Sequence, residues 1–409
     1  MTSIRCLSVF GLIWLSTAVL SAPFVLAAEL GSAAAAERFT GPWDLPRLKT
    51  TPRFTWGEAG DGVREVYYEN EPYKGQPTRV FAYFARPSAG DGPFPGMVLV
   101  HGGGGTAFEQ WASLWAERGY TALAMDLAGH GPGRTRLADG GPNQSDADKF
   151  GPFDENSIRE MWTYHAVAAV IRGHSLLASL PETDAERVGI TGISWGGYLT
   201  CIAAGLDDRF QAAVPVYGCG FLHENSVWLP RFTGMSPDQR TRWIENFEPS
   251  RYLPGIACPI LFVNGTNDFA YPLDSYRKSY RAVSARRELC VTVRMPHSHQ
   301  AGWKPVEIGL FVDSVLRDGV SLAQLAAPHV EADRLIATVR SPVPIKAAHL
   351  HYTTDLGPWQ KRVWHSREAT VSAGQVSGQL PAERPVVAML TVTDDRDATV
   401  STEHLEWDP

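Results

Sequence analysis

The chain has 409 residues, which is too many for one ordinary core and enough for about two domains. Apolar residues make up 44% and charged residues 20%, so the composition excludes a disordered chain and indicates a globular one. The formal net charge is -7, so basic side chains are not in excess, and we therefore expect no nucleic-acid partner.

The first 28 residues have the features of a signal peptide. Arg5 supplies the positive charge, an apolar run begins at Cys6, and small residues precede a cleavage point near Ala27 or Ala28. The run is also almost long enough to span a bilayer, so an uncleaved anchor is the alternative. We therefore predict an exported protein, periplasmic or extracellular, with no membrane contact after cleavage. Residues 29–62 then form an N-terminal linker or extension.

Residues 63–319 show a regular alternation of strands and helices, predicted to form one catalytic domain. Two leading strands, Val63–Tyr68 and Arg79–Ala85, precede short apolar strands of the kind found in sheets buried on both faces. These predicted strands are Met97–Val100, Thr121–Met125, Arg187–Thr191, Ala212–Val216, Ile260–Val263 and Cys290–Met295. The predicted helices are Phe108–Arg118, Glu155–Leu180, Gly196–Gly205, Leu273–Val283 and Val306–Leu316. This order predicts an α/β fold, a mostly parallel sheet with helices on both faces.

Two further segments differ from this alternation. Residues 218–253 contain Trp228, Trp243 and several prolines with little periodicity, and we expect a lid-like insertion above the sheet. Residues 320–409 are rich in alternating and β-branched stretches separated by turn residues, which predicts a small C-terminal β-sandwich. Its predicted strands are Leu335–Val339, Ala347–Thr353, Lys361–Trp364, Gln375–Leu380 and Val386–Val392.

Four cysteines remain after the signal segment, in a chain predicted to reach an oxidising compartment. Cys258 and Cys290 both lie at the starts of strands that are predicted to be parallel neighbours. That arrangement brings their Cα atoms near disulfide distance, so Cys258–Cys290 is the predicted bridge. Buried free thiols are the alternative, because each cysteine has apolar neighbours.

A candidate nucleophile follows the strand Arg187–Thr191. The chain reads Gly192-Ile193-Ser194-Trp195-Gly196 there, and a helical pattern comes next. A serine hydroxyl is a poor nucleophile unless it is exposed and activated, and a sharp strand-to-helix turn with small flanking residues exposes it. The five-residue pattern is weak by itself, but this context predicts Ser194 as the nucleophile. An idle serine in a glycine-rich helix entry is the alternative.

The acid and the base are expected downstream, in the order Ser, Asp, His. Asp268 comes just after the strand Ile260–Val263, where its side chain projects towards the same edge of the sheet as Ser194, so it is the predicted acid. The last predicted strand is followed by two histidines, His297 and His299. We predict His299 as the base, because the loop needs a few residues to reach back over the serine, and His297 is the alternative.

A glycine run, His101-Gly102-Gly103-Gly104-Gly105, follows the strand Met97–Val100. Glycines let the backbone approach a substrate oxygen closely. We therefore expect an oxyanion hole made by the Trp195 N–H and an N–H from Gly103 or Gly104. No Lys-Ser/Thr pair follows, which excludes a Walker phosphate loop. His-x-His without a clustered acidic partner is a poor zinc site, so neither a metal nor a cofactor is expected.

Together, the stretches His101–Gly105, Gly192–Tyr198, Asn264–Asp268 and Pro296–His299 resemble one branch of the α/β-hydrolase superfamily, the bacterial acetyl xylan esterases and dienelactone hydrolase-like proteins, which are related to the prolyl oligopeptidase catalytic domain. The resemblance covers about residues 78–319. It implies the α/β-hydrolase fold and a triad of Ser194, Asp268 and His299, with His297 in the same motif. It also implies ester hydrolysis through an acyl-enzyme, often on acetylated plant polysaccharide.

The expected function is that of a serine carboxylic ester hydrolase, with a small ester or an acetylated saccharide as substrate. Trp228 and Trp111 are candidates for stacking on a sugar ring, although core packing also explains buried tryptophans. A prolyl oligopeptidase-type peptidase is the second hypothesis, and the lack of residues for an N-terminal propeller argues against it. A non-catalytic binding protein on a hydrolase scaffold is the third, and the complete Ser, Asp and His set argues against it.

Overall fold

A nine-stranded sheet forms the centre of the computed structural model, which describes residues 39–60 and 62–408. The predicted signal segment, residues 1–28, lies outside the described residues, as does the first part of the predicted extension. The strand order is β1-β2-β3-β5-β4-β6-β7-β8-β9. The strands are β1 (Phe54–Ala59), β2 (Val63–Glu69), β3 (Arg79–Ala85), β4 (Phe94–Val100), β5 (Thr121–Met125), β6 (Thr183–Ile193), β7 (Phe210–Val216), β8 (Ile260–Gly265) and β9 (Arg287–Thr292).

The first three strands pair antiparallel, and the six from β5 to β9 in this order are parallel. Helices cover both faces, as the sequence predicts: α4 and α5 pack together on one, while α2 and α10 cover the other. The helices are α1 (Leu45–Leu48), α2 (Glu109–Glu117), α3 (Asp146–Phe150), α4 (Trp162–Ser179), α5 (Trp195–Leu206), α6 (Leu229–Thr233), α7 (Pro237–Phe247), α8 (Leu273–Arg281), α9 (His299–Gly302) and α10 (Val306–Leu316).

The central strands are buried on both faces because helices lie on each side of them. All residues of β5 and of β8 are buried, which explains why their sequences are apolar without alternation. The carboxyl ends of β4, β6 and β8 meet at one edge of the sheet, since these strands are parallel. Loops that follow these strands therefore converge at this edge, where open α/β sheets bind their ligands.

The insertion between β7 and β8 contains α6 and α7 and contributes aromatic packing beside this edge. Trp228 contacts Trp195 with ring centroids 4.5 Å apart, and Trp243 stacks on Phe150 at 5.6 Å. Phe150 in turn meets Trp195 at 5.8 Å. The insertion thus forms a wall next to the start of α5, and its action as a lid stays a prediction.

The C-terminal residues form two antiparallel sheets, which confirms the predicted β-sandwich. One sheet has the order β10-β12-β16-β15, with β11 beside β12, and the other has the order β14-β13-β17-β18, with β19 beside β17. The strands are β10 (Gln324–Leu325), β11 (His329–Glu331), β12 (Arg334–Arg340), β13 (Ile345–Thr353), β14 (His365–Glu368), β15 (Thr370–Ser372), β16 (Gln375–Gln379), β17 (Val386–Asp394), β18 (Thr399–Ser401) and β19 (Leu405–Trp407).

Polar contacts tie the sandwich to the large sheet and its helices. The Ser401 hydroxyl accepts a hydrogen bond from the Val291 N–H in β9 at 3.0 Å. The Thr399 N–H donates to the buried Glu307 carboxyl of α10 at 2.6 Å. Residues 39–60 and 62–408 belong to one compact unit. The division of this unit into a catalytic domain, 63–319, and a C-terminal module, 320–409, stays a prediction.

Three predicted elements differ from the structure. The long helix begins at Trp162 rather than at residue 155, and a 3₁₀ turn precedes it. The last strand of the large sheet ends at Thr292, three residues earlier than predicted. Lys361–Trp364 is not a strand, because the flanking side chains of Trp359 and Trp364 are buried against the core and a 3₁₀ turn results.

The predicted disulfide between Cys258 and Cys290 is wrong, since both are free, buried thiols. The register of β8 and β9 explains this. Cys290 lies opposite Val263, whereas Cys258 precedes β8 by two positions and is thus five residues away along the strand direction. At about 3.3 Å per residue, that offset exceeds the reach of a disulfide. Within the described part of the chain, no helix is both long and apolar enough to cross a bilayer.

Candidate active site

Ser194 lies in a sharp turn between β6 and α5. Its backbone has a φ of 60°, the left-handed region that non-glycine residues seldom adopt, and its N–H donates to the Val216 carbonyl at 2.8 Å. A side chain at Gly196 would collide with the carbonyl of Val100, and one at Gly197 with the carbonyl of Val216. The glycines are therefore required by the close approach of neighbouring strands, and the turn leaves Ser194 half-buried at the sheet edge.

The buried Asp268 and the half-buried His297 form an acid–base pair at the same edge. The Nδ1 atom of His297 lies 2.5 Å from Oδ2 of Asp268. The other carboxylate oxygen accepts the N–H groups of Ala270 and Tyr271 at 2.9 and 2.8 Å. Both oxygens of Asp268 are thus satisfied only if Nδ1 of His297 carries a proton, which leaves the Nε2 lone pair of this imidazole available as a base.

Aromatic rings fix the plane of the His297 imidazole. Tyr217 stacks on it at a centroid distance of 4.2 Å and an angle of 22°, and Phe269 meets it edge-on at 4.7 Å. The Tyr217 hydroxyl donates to the carbonyl of Pro296 at 2.7 Å and so holds the residue that precedes the histidine. The imidazole is therefore oriented by packing as well as by Asp268.

His299, the preferred base of the sequence prediction, has a different environment. It is the first residue of α9, whose N-cap is Ser298, and its Nε2 accepts a hydrogen bond from the Gly102 N–H at 2.9 Å. Burial lowers the pKa of His299 to about 4, with smaller contributions from His101 and His297. The structure does not bring His299 to Asp268, and its Nε2 lone pair is already used. This geometry contradicts the preference for His299 and fits the alternative, His297.

The glycine run after β4 reaches the nucleophile, as predicted, and its N–H groups have different partners. The Gly102 N–H donates to His299, and the Gly104 N–H donates to Oε1 of Gln144 at 3.1 Å. Among the described residues, none accepts a hydrogen bond from the Gly103 N–H. The Trp195 N–H is at the first position of α5, where the helix offers no acceptor. Of the predicted oxyanion donors, the N–H groups of Trp195 and Gly103 are available to a substrate, whereas the Gly104 N–H already donates to Gln144.

One cavity of about 320 Å³ brings these groups together. Its lining includes Ser194, Gly103, His297, His299 and Trp228. Trp228, a predicted substrate contact, therefore faces the nucleophile. Trp111, the other candidate, is 2% exposed, packs on Trp303 at 5.5 Å, and does not line this cavity. Trp111 is a core residue.

His349 and His351 lie on β13 of the sandwich, away from the nucleophile cavity. Both ring nitrogens of His351 are hydrogen-bonded, to Ser366 at 2.7 Å and to Thr391 at 2.9 Å. Within residues 39–60 and 62–408, no group of three or more His, Cys, Asp or Glu side chains is arranged to hold a metal ion.

Sequence reasoning missed two residues that shape the site. Gln144 is 40 positions from Gly104, in a loop without periodicity, and no local pattern marks it as a partner of the glycine run. Asn267, next to the acid, donates through Nδ2 to the carbonyl of Arg362 at 2.8 Å. Its position directly before Asp268 was a signal, but its partner lies 95 residues further along the chain.

Comparisons with known proteins identify similar sequences and folds. The family model for acetyl xylan esterase (AXE1) matches residues 60–228, which include the glycine run and Ser194 but end before Asp268. Acetyl esterase Axe7A of Xylanibacter ruminicola is 23% identical over 232 residues, 52% of this chain and 51% of that protein. A putative carboxymethylenebutenolidase of Escherichia coli strain K12 is 26% identical over 239 residues, 55% of this chain and 74% of that protein.

Among solved structures, an acetyl xylan esterase from Paenibacillus sp. R4 superposes with a TM-score of 0.55 at 20% identity, over 66% of this chain and 92% of that one. The chain therefore has the α/β-hydrolase fold. Within that superfamily it resembles the branch of acetyl xylan esterases and dienelactone hydrolases, which are carboxylic ester hydrolases. The chain spans about half the length of Axe7A.

Proposed function

We propose that this protein hydrolyses carboxylic esters through an acyl-enzyme on Ser194 and that its substrate is an acetylated carbohydrate. The observation that carries the proposal is the pairing of His297 with Asp268 in a cavity that also exposes Ser194. The family match and the named activities of the relatives support an ester substrate. Trp228 on the cavity wall supports a sugar, because an aromatic face packs well against a sugar ring.

In this mechanism, Nε2 of His297 removes the proton from the Ser194 hydroxyl as its oxygen attacks the ester carbonyl. Asp268 holds the Nδ1–H tautomer and stabilises the imidazolium that forms. His297 then gives the proton to the leaving alcohol, and the acyl group stays on Ser194. Water attacks the acyl-enzyme by the same route, which releases the acid and restores the serine.

The negative oxygen of each tetrahedral intermediate binds the N–H groups of Trp195 and Gly103. Both are fixed by the backbone, so they require no rearrangement during the reaction. The partners of Gly102 and Gly104 hold the loop on either side of the Gly103 N–H. Loss of one such donor costs about 3–4 kcal/mol of transition-state stabilisation in comparable sites.

The test compares the parent with Ser194→Ala on 4-nitrophenyl acetate, on an aminoacyl 4-nitroanilide and on acetylated xylan. We expect acetate release by the parent from both esters, no cleavage of the anilide, and loss of all ester cleavage in the variant. Ser157→Ala, a serine in an exposed turn, is the matched control and should keep full activity. Anilide cleavage by the parent would favour a peptidase, and a fully active Ser194→Ala variant would exclude the proposed nucleophile.

We also propose export to the periplasm or the cell exterior, where a polysaccharide substrate is found. The first 28 residues support export, because they contain a positive charge, an apolar run and small residues near a cleavage point, as a signal peptide does. Fractionation of the full-length protein, with the mass of the mature chain, tests this. A mature N-terminus near residue 28 is expected, and a full-length chain in the membrane fraction would indicate an uncleaved anchor.

A further inference from the structure

A second cavity, of about 430 Å³, lies next to the nucleophile cavity. The two cavities share His297 and Phe269 in their linings. Three basic side chains, Arg294, Lys361 and Arg362, line the second cavity and define what we name the basic cleft. The basic cleft is thus contiguous with the site of chemistry, although two of its three cations come from the C-terminal sandwich.

The positive charge of the basic cleft is only partly offset by the protein, since the carboxylates of Glu406, Asp274 and Asp355 interact electrostatically with Arg362. Among the described residues, Arg294, Lys361 and Arg362 form no ion pair with a carboxylate. The acidic residue in the lining is Asp268, and both of its oxygens are engaged by His297 and by backbone N–H groups. A chain with net charge -7 therefore leaves two cations, Arg294 and Lys361, without an ion pair beside the proposed base.

The backbone that carries these cations is held in place by contacts with its neighbours. Nδ2 of Asn267 donates to the Arg362 carbonyl at 2.8 Å, and the guanidinium of Arg362 covers the Trp359 ring at 3.7 Å. Trp359 is itself buried against the core. On the other wall, the Arg294 N–H donates to the Thr266 hydroxyl at 3.1 Å. The turn that carries Lys361 and Arg362 is therefore fixed to the loop of the acid.

The position of the basic cleft identifies the part of the substrate that enters it. In the proposed mechanism, His297 protonates the leaving alcohol, so the alcohol part of the ester passes this imidazole. The same imidazole lines the basic cleft. Basic side chains without internal partners bind carboxylates. We infer that the alcohol part of the substrate carries a carboxylate, as in an acetylated saccharide that contains a uronic acid residue, an inference that rests on the proposed function.

The test uses a matched pair of esters, 4-acetoxybenzoate and its neutral methyl ester. The variants are Lys361→Gln, Arg294→Gln and the double variant, and Arg340→Gln, an exposed cation on β12 outside the cleft, is the control. For each removed charge we expect kcat/KM for the anionic ester to fall about fivefold, with less than a twofold change for the neutral ester. About 0.5 M sodium chloride should reduce the parent's preference for the anionic ester, because salt screens exposed charges.

A second arm measures acetate release from acetylated polygalacturonate and from acetylated xylan without uronate side groups. We expect the double variant to lose activity on the first polymer and to keep it on the second. Equal losses on both members of either pair, or no loss on the anionic member, would overturn the inference while leaving the esterase intact. A parent inactive on all four esters would overturn the proposed function and the inference with it.

Discussion

His297 and His299 are separated by one residue, yet their imidazoles have opposite hydrogen-bonding patterns. His297 donates from Nδ1 to Asp268 and keeps its Nε2 lone pair free, whereas His299 uses its Nε2 lone pair to accept the Gly102 N–H. The first imidazole is arranged to move a proton. The second, neutral because burial lowers its pKa to about 4, is arranged to hold the glycine run. The base is therefore identified by its available ring nitrogen rather than by its proximity to the serine.

The largest effect is expected from His297→Ala. Removal of the base leaves Ser194 without a proton acceptor, and kcat for 4-nitrophenyl acetate should fall by about 10⁶-fold. Stopped assays with a high enzyme concentration measure this residual rate. Circular dichroism provides the check that the variant is folded. If His297→Ala kept more than a tenth of the parent kcat, the base would have to be sought elsewhere, with His299 the first candidate.

Asp268→Asn should reduce kcat by about 10⁴-fold. The amide keeps an oxygen for the N–H groups of Ala270 and Tyr271, so the loop is retained. Its NH₂ group then faces Nδ1 of His297 and favours the wrong tautomer. The pH profile of kcat/KM distinguishes this loss from unfolding. Asp274→Asn, in which the acid bonded to Asn225 outside the site is changed, is the control and should retain the parent kcat.

His299→Leu should lower kcat by about 10- to 100-fold with little change in KM, since it releases the loop that presents the Gly103 N–H to the transition state. His299→Gln retains an acceptor for the Gly102 N–H and should recover much of the loss. Steady-state kinetics on one neutral ester for both variants measure this. If Leu and Gln gave the same kcat, the hydrogen bond to Gly102 would have no part in catalysis.

Sequence patterns located the residues whose role depends on neighbours close by in the chain. Ser194 was predictable because the strand, the glycines and the helix start are all within a few positions. The choice between His297 and His299 was not, because it depends on α9 starting at His299, which turns this side chain towards Gly102. The register of β8 and β9, which separates Cys258 from Cys290, and the long-range contact of Gln144 depend on tertiary packing that no local pattern encodes.

Asn267→Ala tests the residue that directly precedes Asp268, the partner of His297. Loss of the hydrogen bond to the Arg362 carbonyl should lower the free energy of unfolding by about 1–2 kcal/mol. Urea denaturation followed by tryptophan fluorescence measures the change. Asn143→Ala, in an exposed loop, is the control and should have a smaller effect. No loss of stability would mean that the turn carrying Lys361 and Arg362 is held by Trp359 and Trp364 alone.

The pH dependence of stability offers the last distinction. A His299 pKa of about 4 in the folded state, below an unfolded value of about 6.5, means that the unfolded chain binds more protons between these pH values. The contribution of His299 to stability is therefore constant above about pH 6.5, and the protein becomes less stable through this group as the pH falls towards 4. His299→Gln removes this proton uptake and should flatten the pH slope of the unfolding free energy by about 0.5–1 kcal/mol per pH unit, a value reduced for partial exposure. Urea titrations between about pH 7 and 4.5 measure the slope, against a background from the buried His165 and His174 that both proteins share. An unchanged slope in His299→Gln would show that this imidazole accepts a proton as readily in the folded protein as in the unfolded chain, and the contrast with His297 would then rest on hydrogen bonding alone.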